Sequence, residues 1–358
     1  MLMLASAPAE HYRRAIEIVA ADPQVDSLIV VFTPPLVTRA DDVATAILEA
    51  AQHIDKQKPL LSVFLSAEPA PKKLKSIERC IPSYAFPETA AIALARAVRY
   101  GAWRARPETV AVQFEDIQSD EAATIIATAL VRGEGWLTPD EVARLCRCYG
   151  LPLVEQVIVT TADEAGKAAD DLGGEVAIKA IADGLIHKTE AGGVRLHLRG
   201  SAAAATAAQE MVERLKSSGQ SLKGFVVQRM AQPGVEMLMG VVHDSQFGPV
   251  VACGAGGIQV ELLRDVSVRL TPLAKEDARE MIYELKTYPL LTGFRGGPVC
   301  DIAALQDGLL RLSAMVVDLP QIVEIDLNPF VVHRSGASIV DARIKIRTAD
   351  PRPLPGVR

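Results

Sequence analysis

The stretch VAIKAIADGLIHKTEAGGV, residues 176–194, places a lysine inside an apolar strand and a histidine in the loop that follows. Lys179 is flanked by Ile178 and Ala180, so its ammonium is costly to bury unless an anion meets it. A nucleotide phosphate is a physically reasonable partner for such a lysine. The alternative is a lysine that forms a salt bridge or extends its ammonium to solvent. The first interpretation predicts a phosphate-binding strand at Lys179.

His187 lies in this loop, between Gly184 and the pair Gly192-Gly193. Because glycine has wide backbone freedom, the ends of the loop can let the side chain move between two positions. A neutral imidazole, with an ordinary pKa of about 6.5, is a competent nucleophile toward a phosphoryl group. A solvated loop histidine is the alternative interpretation. The position soon after Lys179 favours a phosphoryl carrier.

A glycine cluster follows a second apolar strand further along the chain. Residues 250–261 read VVACGAGGIQVE and contain Gly254, Gly256 and Gly257. Backbone amide groups in such a turn can approach and surround an anion. Glycine-rich turns are also common without any ligand, and this one lacks the lysine and hydroxyl residue that end a P-loop. The cluster predicts a nucleotide site, with an ordinary turn as the alternative.

Oxygen-bearing side chains lie near the end of the chain. Strand alternation in EIDLNPF, residues 324–330, puts Glu324, Asp326 and Asn328 on one face. Asp341 follows on the next predicted strand, where hairpin pairing brings it near Asn328. Hard oxygen ligands completed by phosphate oxygens and water suit Mg²⁺. The alternative is the solvent-facing side of an amphipathic strand.

The first hundred residues alternate short apolar runs with amphipathic segments, the order expected of a parallel sheet covered by helices. We predict an α/β fold here, with a flavodoxin-like domain over residues 1–105. Its predicted helices span residues 11–21, 40–53, 71–79 and 88–100, and its predicted strands span residues 28–32 and 60–64.

Between residues 100 and 134 the alternation weakens, and we predict a linker over residues 106–120 and a second domain over residues 121–350. Thr138, Pro139 and Glu141 form a capping-box helix start, and Gly150 is placed to end that helix. The second domain has predicted strands at residues 153–159, 175–180, 224–230, 235–242 and 249–252, and predicted helices at residues 203–215 and 304–317.

The composition is that of a globular protein: 49% of the 358 residues are hydrophobic and 23% are charged. The net charge of −6 disfavours nucleic acid as a partner, because that binding needs a basic surface.

The five scattered cysteines predict reduced thiols. No apolar run is long enough to span a membrane and the start lacks the features of a signal peptide, so we expect a cytoplasmic protein.

Three motifs together resemble the ATP-grasp part of ADP-forming acyl-CoA synthetases. They are IHKTEAGGV at residues 186–194, the glycine cluster from Gly254, and EIDLNP at residues 324–329. The segments ASAPAEHYRR, residues 5–14, and VFTPPLVT, residues 31–38, resemble the second CoA-ligase domain of the same family. The resemblance covers nearly the whole chain. It implies a CoA-ligase-type α/β domain followed by an ATP-grasp domain of two α+β subdomains.

In that family a phosphoryl group passes between an acyl phosphate and ADP through histidines, the second of which lies on a mobile loop of the ATP-grasp domain. By resemblance that histidine is His187. The resemblance further implies ATP or ADP and Mg²⁺ as cofactors. It also implies roles for individual residues: Lys179 at the nucleotide phosphates, Gln228 and Met230 near the adenine, Glu236 at the nucleotide site, and Asn328 with Asp341 as Mg²⁺ ligands.

The fused members of the family carry two further parts, a CoA-binding domain and a domain with the first phosphohistidine, and this chain resembles neither. We therefore expect acyl-CoA to bind through missing domains or a partner subunit, and we expect an oligomer. Two other functions stay open: a ligand-sensing module related to regions attached to protein lysine acetyltransferases, and a scaffold subunit without catalysis. Retention of His187, Asn328 and Asp341 favours the enzyme.

Overall fold

The structure is a computed structural model that describes residues 3–4, 7–34, 38–66, 69–75, 80–105, 110–182, 192–217, 219–257 and 265–348. The chain divides into two compact units, Met1–Glu108 and Thr109–Arg358. Within the described residues, none of the helices is both long and apolar enough to cross a membrane. All five cysteines are free thiols, as predicted.

The first unit is a layered α/β structure, which confirms the predicted class. Its three strands form a parallel sheet in the order β1-β2-β3. The strands are β1 (Leu28–Phe32), β2 (Leu60–Phe64) and β3 (Ser83–Tyr84), and the helices are α1 (Ala9–Ala20), α2 (Ala40–His53) and α3 (Pro87–Arg104). Helices α1 and α2 pack on one face of the sheet, and Ala90 of α3 packs on the other.

The core of this unit explains why β1 and β2 are strands. Phe32 contacts Tyr12 of α1 and Phe64 of β2 edge to face, with ring centroids 5.8 Å and 5.5 Å apart. Every residue of β2 is buried, because helices cover both faces of the sheet at this strand. Such two-sided burial is typical of the apolar runs of a parallel sheet.

The helix predicted over residues 71–79 is wrong for the part that the structure describes. Only a short 3₁₀ turn, Lys72–Leu74, forms, and Lys75 then bridges to Cys80 as in an extended strand. Leu74 is the only residue of the turn that reaches the core, so the segment has no apolar stripe to bury as a helix.

The second unit contains two sheets and seven helices among the residues that the structure describes. The helices are α4 (Ser119–Val131), α5 (Pro139–Cys148), α6 (Ala162–Leu172), α7 (Gly200–Ser217), α8 (Lys275–Tyr283), α9 (Tyr288–Leu291) and α10 (Ile302–Asp318). The strands are β4 (Gly135–Trp136), β5 (Gln156–Val159), β6 (Glu175–Ala182), β7 (Val194–Arg199), β8 (Leu222–Arg229), β9 (Val235–Asp244), β10 (Gly248–Ala255), β11 (Val266–Leu270), β12 (Ile322–Val332), β13 (Ala337–Ile339) and β14 (Ala342–Ile346).

The small sheet has four strands in the order β5-β8-β6-β7, all antiparallel neighbours. One face packs against α6 and α7 through buried residues of β6 and β8, among them Val176, Ile178, Phe225 and Val227. Alternation along these strands therefore sends Lys179 and Gln228 to the opposite face.

The large sheet has the order β11-β10-β9-β12-β14-β4, with β13 paired to β12. One face forms the main core with α4, α5, α8 and α10, and this face includes Met239 of β9 and Ile325 and Leu327 of β12. Glu324 and Asp326 alternate with these apolar residues, so they lie on the face away from the core.

Local signals at the start of α5 are confirmed. The Thr138 side chain accepts from the Glu141 amide at 3.4 Å, and the Glu141 carboxylate accepts from the Thr138 amide at 2.8 Å. Gly150 has φ of +63° just after the helix, a conformation that favours glycine.

Two expectations about the second unit are corrected. Helix α4 occupies residues 119–131, where no helix was predicted and where the first two residues fall in the predicted linker, because Ala122, Ile125 and Ile126 bury one helical face. Asp341 was expected on a strand, but it lies between β13 and β14. The strand breaks there because β12 changes its pairing partner from β13 to β14 across residues 327–330.

Candidate functional site

Lys179 lies on the open face of the small sheet and reaches the large sheet. Its side chain is 9% exposed, and its Nζ donates to the backbone oxygen of Val340 at 2.7 Å. Val340 follows β13, so this hydrogen bond joins residues that are 161 positions apart in the sequence. The lysine predicted from its apolar strand is therefore buried with its ammonium at the junction of the two sheets.

Gln228 meets the same backbone oxygen from the neighbouring strand. Its Nε2 donates to Val340 O at 3.0 Å and to Oε1 of Gln156 at 3.2 Å. Gln156 on β5 is the direct cross-strand partner of Gln228 on β8. With an exposure of only 2%, Gln228 is a buried amide whose amino group is fully engaged.

Asn328 and Asp341 lie on the other side of Val340. The Val340 amide donates to Pro329 O at 3.0 Å, and the Asn328 amide donates to Asp341 O at 3.1 Å. These two bonds tie the residues after β13 to the bulge in β12. The predicted proximity of Asn328 and Asp341 is thus present, although it comes from a loop and not from a paired strand.

The glycine segment approaches from β10. The Gly257 amide donates to Oδ1 of Asn328 at 3.4 Å, and the Gly256 amide donates to Glu236 O at 3.0 Å. A methyl group on Gly257 would lie 2.2 Å from Oε2 of Glu236, so this carboxylate is directly beside the turn. Gly257 also has φ of +65°, a conformation that favours glycine. Close packing and backbone conformation therefore both require glycine at 257.

Gly254 and Met230 are placed differently. Gly254 is inside β10, opposite Val266 of β11, and a methyl group there would lie 2.6 Å from the backbone oxygen of Asp265. It therefore serves close strand packing. Met230 follows β8, two residues after Gln228, and its amide donates to Glu175 O at 2.9 Å. Its side chain is half-buried at the end of the small sheet.

Acidic groups dominate the open face of β12. Burial raises the pKa of the Asp326 carboxyl; Arg343 opposes this shift, and the neighbouring charges of Asp341 and Glu324 add to it. Asp326 therefore lies within electrostatic range of one cation and two carboxylates. Such crowding is relieved when a cation binds among the carboxylates.

The residues present fit a magnesium ion that completes its coordination with phosphate. Asn328 and Asp341 supply an amide oxygen and a carboxylate, which are hard ligands of the type that Mg²⁺ prefers. Over the described ranges, no group of three or more His, Cys, Asp and Glu side chains is arranged to hold a metal. Two protein ligands with substrate oxygens match the way magnesium usually binds beside nucleotides.

His187 lies outside the described residues, within the segment 183–191 that connects β6 to β7. The described ends of this connection are close together, since Lys179 pairs with Val194 and the Ala180 amide donates to Gly193 O at 2.8 Å. The chain that carries His187 therefore leaves and re-enters the sheet within a few residues of Lys179.

Sequence reasoning missed two members of this arrangement. Gln156 is a polar residue at the start of the otherwise apolar strand β5. A polar side chain in such a strand could have marked Gln156 as a candidate site residue. Val340 contributes only its backbone oxygen. Every residue type has this atom, so the sequence could not have indicated the role of Val340. Cys253, next to Gly254, is not a further nucleophile, because burial raises the pKa of its thiol to about 12.

Residues 128–346 match the ATP-grasp domain family. The ADP-forming acetate–CoA ligase I of Archaeoglobus fulgidus is 31% identical over 345 residues, which cover 96% of this chain and 49% of that protein. The β subunit of the ADP-forming acetate–CoA ligase I of Pyrococcus furiosus is 36% identical over 226 residues, which cover 63% of this chain and 97% of the subunit.

A solved structure is also similar. It is the acetyl-coenzyme A synthetase 1 of Ca. Korarchaeum cryptofilum in complex with coenzyme A and Mg-AMPPCP, with its phosphohistidine segment pointing towards the nucleotide binding site. The identity is 37% and the TM-score 0.57, over 63% of this chain and all of that one. The chain spans about half the length of the A. fulgidus ligase. It belongs to the ATP-grasp family of ADP-forming acyl-CoA ligases.

Proposed function

We propose that this chain is the nucleotide-binding part of an ADP-forming acyl-CoA ligase, and that its second unit passes a phosphoryl group between ATP or ADP and His187. The observation that carries the proposal is the convergence at residues 340 and 341. Lys179 and Gln228 of the small sheet meet the Val340 carbonyl there, and Asn328 meets the backbone of Asp341. Donors and oxygen ligands suited to a nucleotide thus converge from two sheets.

The proposed step is an in-line displacement at the terminal phosphorus of ATP. An imidazole nitrogen of His187 attacks that phosphorus, the bond from phosphorus to the bridging oxygen breaks, and ADP leaves with the electron pair. The nitrogen–phosphorus bond forms as this bond breaks, and the ring proton passes to solvent. Lys179 binds phosphate oxygens and stabilises their charge, so positioning and electrostatics supply most of the catalysis.

Asn328 and Asp341 would hold Mg²⁺ through the amide oxygen and the carboxylate. The ion supplies charge neutralisation on the phosphate oxygens when it is bound. Glu236, beside Gly257, limits the space at the glycine turn, and the backbone amides of Gly256 and Gly257 hold that turn against β9 and β12. The amides of both glycines donate within the protein, so the described part of the turn stays next to the metal ligands but does not offer these two amides to an anion.

The acyl-CoA half of the reaction belongs to other parts in this proposal. The chain spans about half the length of the fused A. fulgidus relative, and the P. furiosus relative is a separate β subunit. Both facts support a partner subunit or further domains that bind acyl-CoA and carry the first phosphohistidine, in an oligomer. The free thiols support a cytoplasmic setting, because disulfides are typical of oxidising compartments.

The test is phosphoryl transfer to the purified chain from γ-labelled ATP with Mg²⁺. We expect an acid-labile, alkali-stable label that is absent in His187→Ala. His197→Ala is the matched control, because His197 lies on the neighbouring strand β7 with a side chain that is 65% exposed. The control should label like the parent protein.

Two results would contradict the proposal. Label that persists in His187→Ala would assign the carrier to another residue. Nucleotide binding without any label, with the acyl-CoA-binding partner also present, would favour the sensor function over the enzyme.

A further inference from the structure

Helix α3 of the first unit packs on its sheet at one end only. Ala90 is buried there and Leu94 packs beside it, but every residue from Ala95 to Arg104 is exposed. A helical segment of this length is marginally stable in water without tertiary packing. No described residue covers these turns, so a surface from another molecule would stabilise them.

The exposed part of α3 and its N-cap residue is rich in large apolar side chains. Five of them are 54–62% exposed, namely Phe86, Ile92, Val98, Tyr100 and Trp103. The rings of Tyr100 and Trp103 stack, with centroids 5.7 Å apart. Together these side chains leave on the order of 500 Å² of apolar surface in water, and exposed patches of that size are often functional.

Helical spacing gives α3 an outward side that is opposite the buried Ala90. Residues separated by three or four positions share one side of a helix. The outward side consists of Glu88, Ala91, Ile92, Ala95, Val98, Arg99, Ala102 and Trp103. Ala95 is at the middle of this side, where its small side chain lets a second helix approach closely.

The charges of α3 are separated along its length. Its one carboxylate, Glu88, is in the first turn, and its three arginines, Arg96, Arg99 and Arg104, are in the second half. A parallel pair of identical helices would align like charges. An antiparallel pair brings the carboxylate end of each helix to the arginine end of the other, so the charge pattern is complementary to itself.

We infer that the outward side of α3 is a self-association surface, on which a second copy of this chain packs its own α3 in antiparallel orientation. Crossing the two helices at Ala95 places Ile92 opposite Val98 of the second copy and Glu88 within reach of its Arg99. The contact is isologous, so each of these pairs occurs twice. The residues of the candidate nucleotide site all belong to the second unit, so the inference does not depend on the proposed function.

The size of the surface sets the expected strength of the dimer. Two copies would bury about 1,000 Å² or more in total, which is near the lower limit for a specific interface. We therefore expect a reversible dimer with a dissociation constant on the order of 10 µM.

The test is sedimentation velocity of the full chain from about 1 to about 200 µM, where a dimer of this strength changes from minor to dominant. Val98→Glu puts a charge on the exposed apolar side and should weaken the dimer by at least about tenfold.

A charge exchange tests the antiparallel arrangement. Glu88→Arg and Arg99→Glu should each weaken the dimer about threefold to tenfold, because like charges then meet across the pair. The double variant restores opposite charges and should recover the affinity of the parent protein. Arg104→Glu makes the same charge change on the Ala90 side of the helix and should dimerise like the parent protein.

Four results would overturn the inference. The first is a chain that stays monomeric at about 200 µM, and the second is a dimer that Val98→Glu leaves unchanged. The third is a double variant that fails to recover, because the two helices then do not pair Glu88 with Arg99. The fourth is a monomer that binds only the acyl-CoA-binding half, with binding lost in Val98→Glu. Phosphoryl transfer to His187 should be unchanged in every variant, so the inference and the proposed function fail separately.

Discussion

The small sheet and the large sheet of the second unit each bury one face under helices and leave the other face open, with polar side chains where the two sheets meet. The small sheet presents donors at the junction, namely the ammonium of Lys179 and the amino group of Gln228. The large sheet presents oxygen atoms, from Asp326, Asn328 and the segment that contains Val340 and Asp341. The chemistry of the small sheet therefore suits a phosphate group, and that of the large sheet suits a cation.

Neither sheet alone therefore has all the groups that a nucleotide site needs. Phosphate oxygens need cationic donors, while magnesium needs oxygen ligands, and Mg-nucleotide needs both sets at once. The two sets are joined by hydrogen bonds on the Val340 backbone oxygen. Removing a donor and removing an oxygen ligand should consequently have different signatures.

The largest effects should come from variants that remove either the cationic donor of the small sheet or the metal ligand of the large sheet. Lys179→Met should weaken ATP binding by about tenfold to a hundredfold both with and without Mg²⁺, because the proposed function has this buried cation bind the phosphates. Asp341→Asn should leave the affinity without Mg²⁺ nearly unchanged and abolish most of the gain that Mg²⁺ gives to the parent protein. Calorimetric titrations with and without Mg²⁺ measure both.

The control for the lysine is Lys216→Met, on the exposed side of α7, which should bind ATP like the parent protein. If Lys179→Met lost affinity only in the presence of Mg²⁺, the assignment of donors to one sheet and metal ligands to the other would be wrong.

A smaller effect is expected at the glycine turn. Gly257→Ala and Gly248→Ala both place a side chain at positive φ, +65° and +80°, so each should cost about 1 kcal/mol of unfolding free energy. At Gly257 the methyl group also meets the Glu236 carboxylate, whereas at Gly248 the space is open. ATP affinity should therefore fall several-fold, about threefold to tenfold, in Gly257→Ala alone.

Urea unfolding and calorimetry on both variants would check this difference. Equal ATP affinities in the two variants, with equal losses of stability, would exclude the turn at Gly257 from the nucleotide site.

The smallest effect is expected away from the open faces of both sheets. Arg132 holds the pKa of Glu141 below its ordinary value of 4.5 against the opposing effect of burial, and the Thr138 amide adds to this. A lowered folded pKa adds stability above the unfolded pKa, and this stability is lost as the pH falls through the folded value. Glu141→Gln should thus cost about 1–2 kcal/mol near pH 7.

Urea unfolding at about pH 7 and about pH 3.5 tests the sign, since the difference from the parent protein should shrink at the lower pH. Asp140→Asn changes an exposed neighbour on the same helix and should show little loss at either pH. ATP affinity should be unchanged in both variants, and a change in Glu141→Gln would extend the site beyond the two sheets.

Local structure was predictable where an apolar run is bounded on both sides by turn residues. Strands β1 and β2 and helix α2 have the predicted bounds, because short buried runs are flanked by polar or proline-containing turns. Strands β7 and β11 were missed, and their burial explains why. Most residues of β7 are exposed or half-buried, and β11 alternates exposed valines with polar residues. Strands at a sheet edge carry a weak apolar signal.

The chemistry of the site was predictable by residue type, but its geometry was not. A lysine in an apolar strand and asparagine and aspartate near a turn are visible in the sequence. The hydrogen bond from Lys179 to Val340 depends on pairing across 161 positions, and no local pattern encodes that separation. Gln156 became meaningful only when the register placed it opposite Gln228.

The carbonyl of Val340 has a consequence for how such a site changes over evolutionary time. Every amino acid brings the same backbone oxygen, so a point substitution at 340 cannot delete the acceptor that Lys179 and Gln228 share. The contact depends on the path of the main chain and not on which amino acid is at position 340. Residue identity at 340 is therefore free to drift within the limits of its half-buried space, while an insertion or deletion between β13 and β14 would disconnect the two sheets at once.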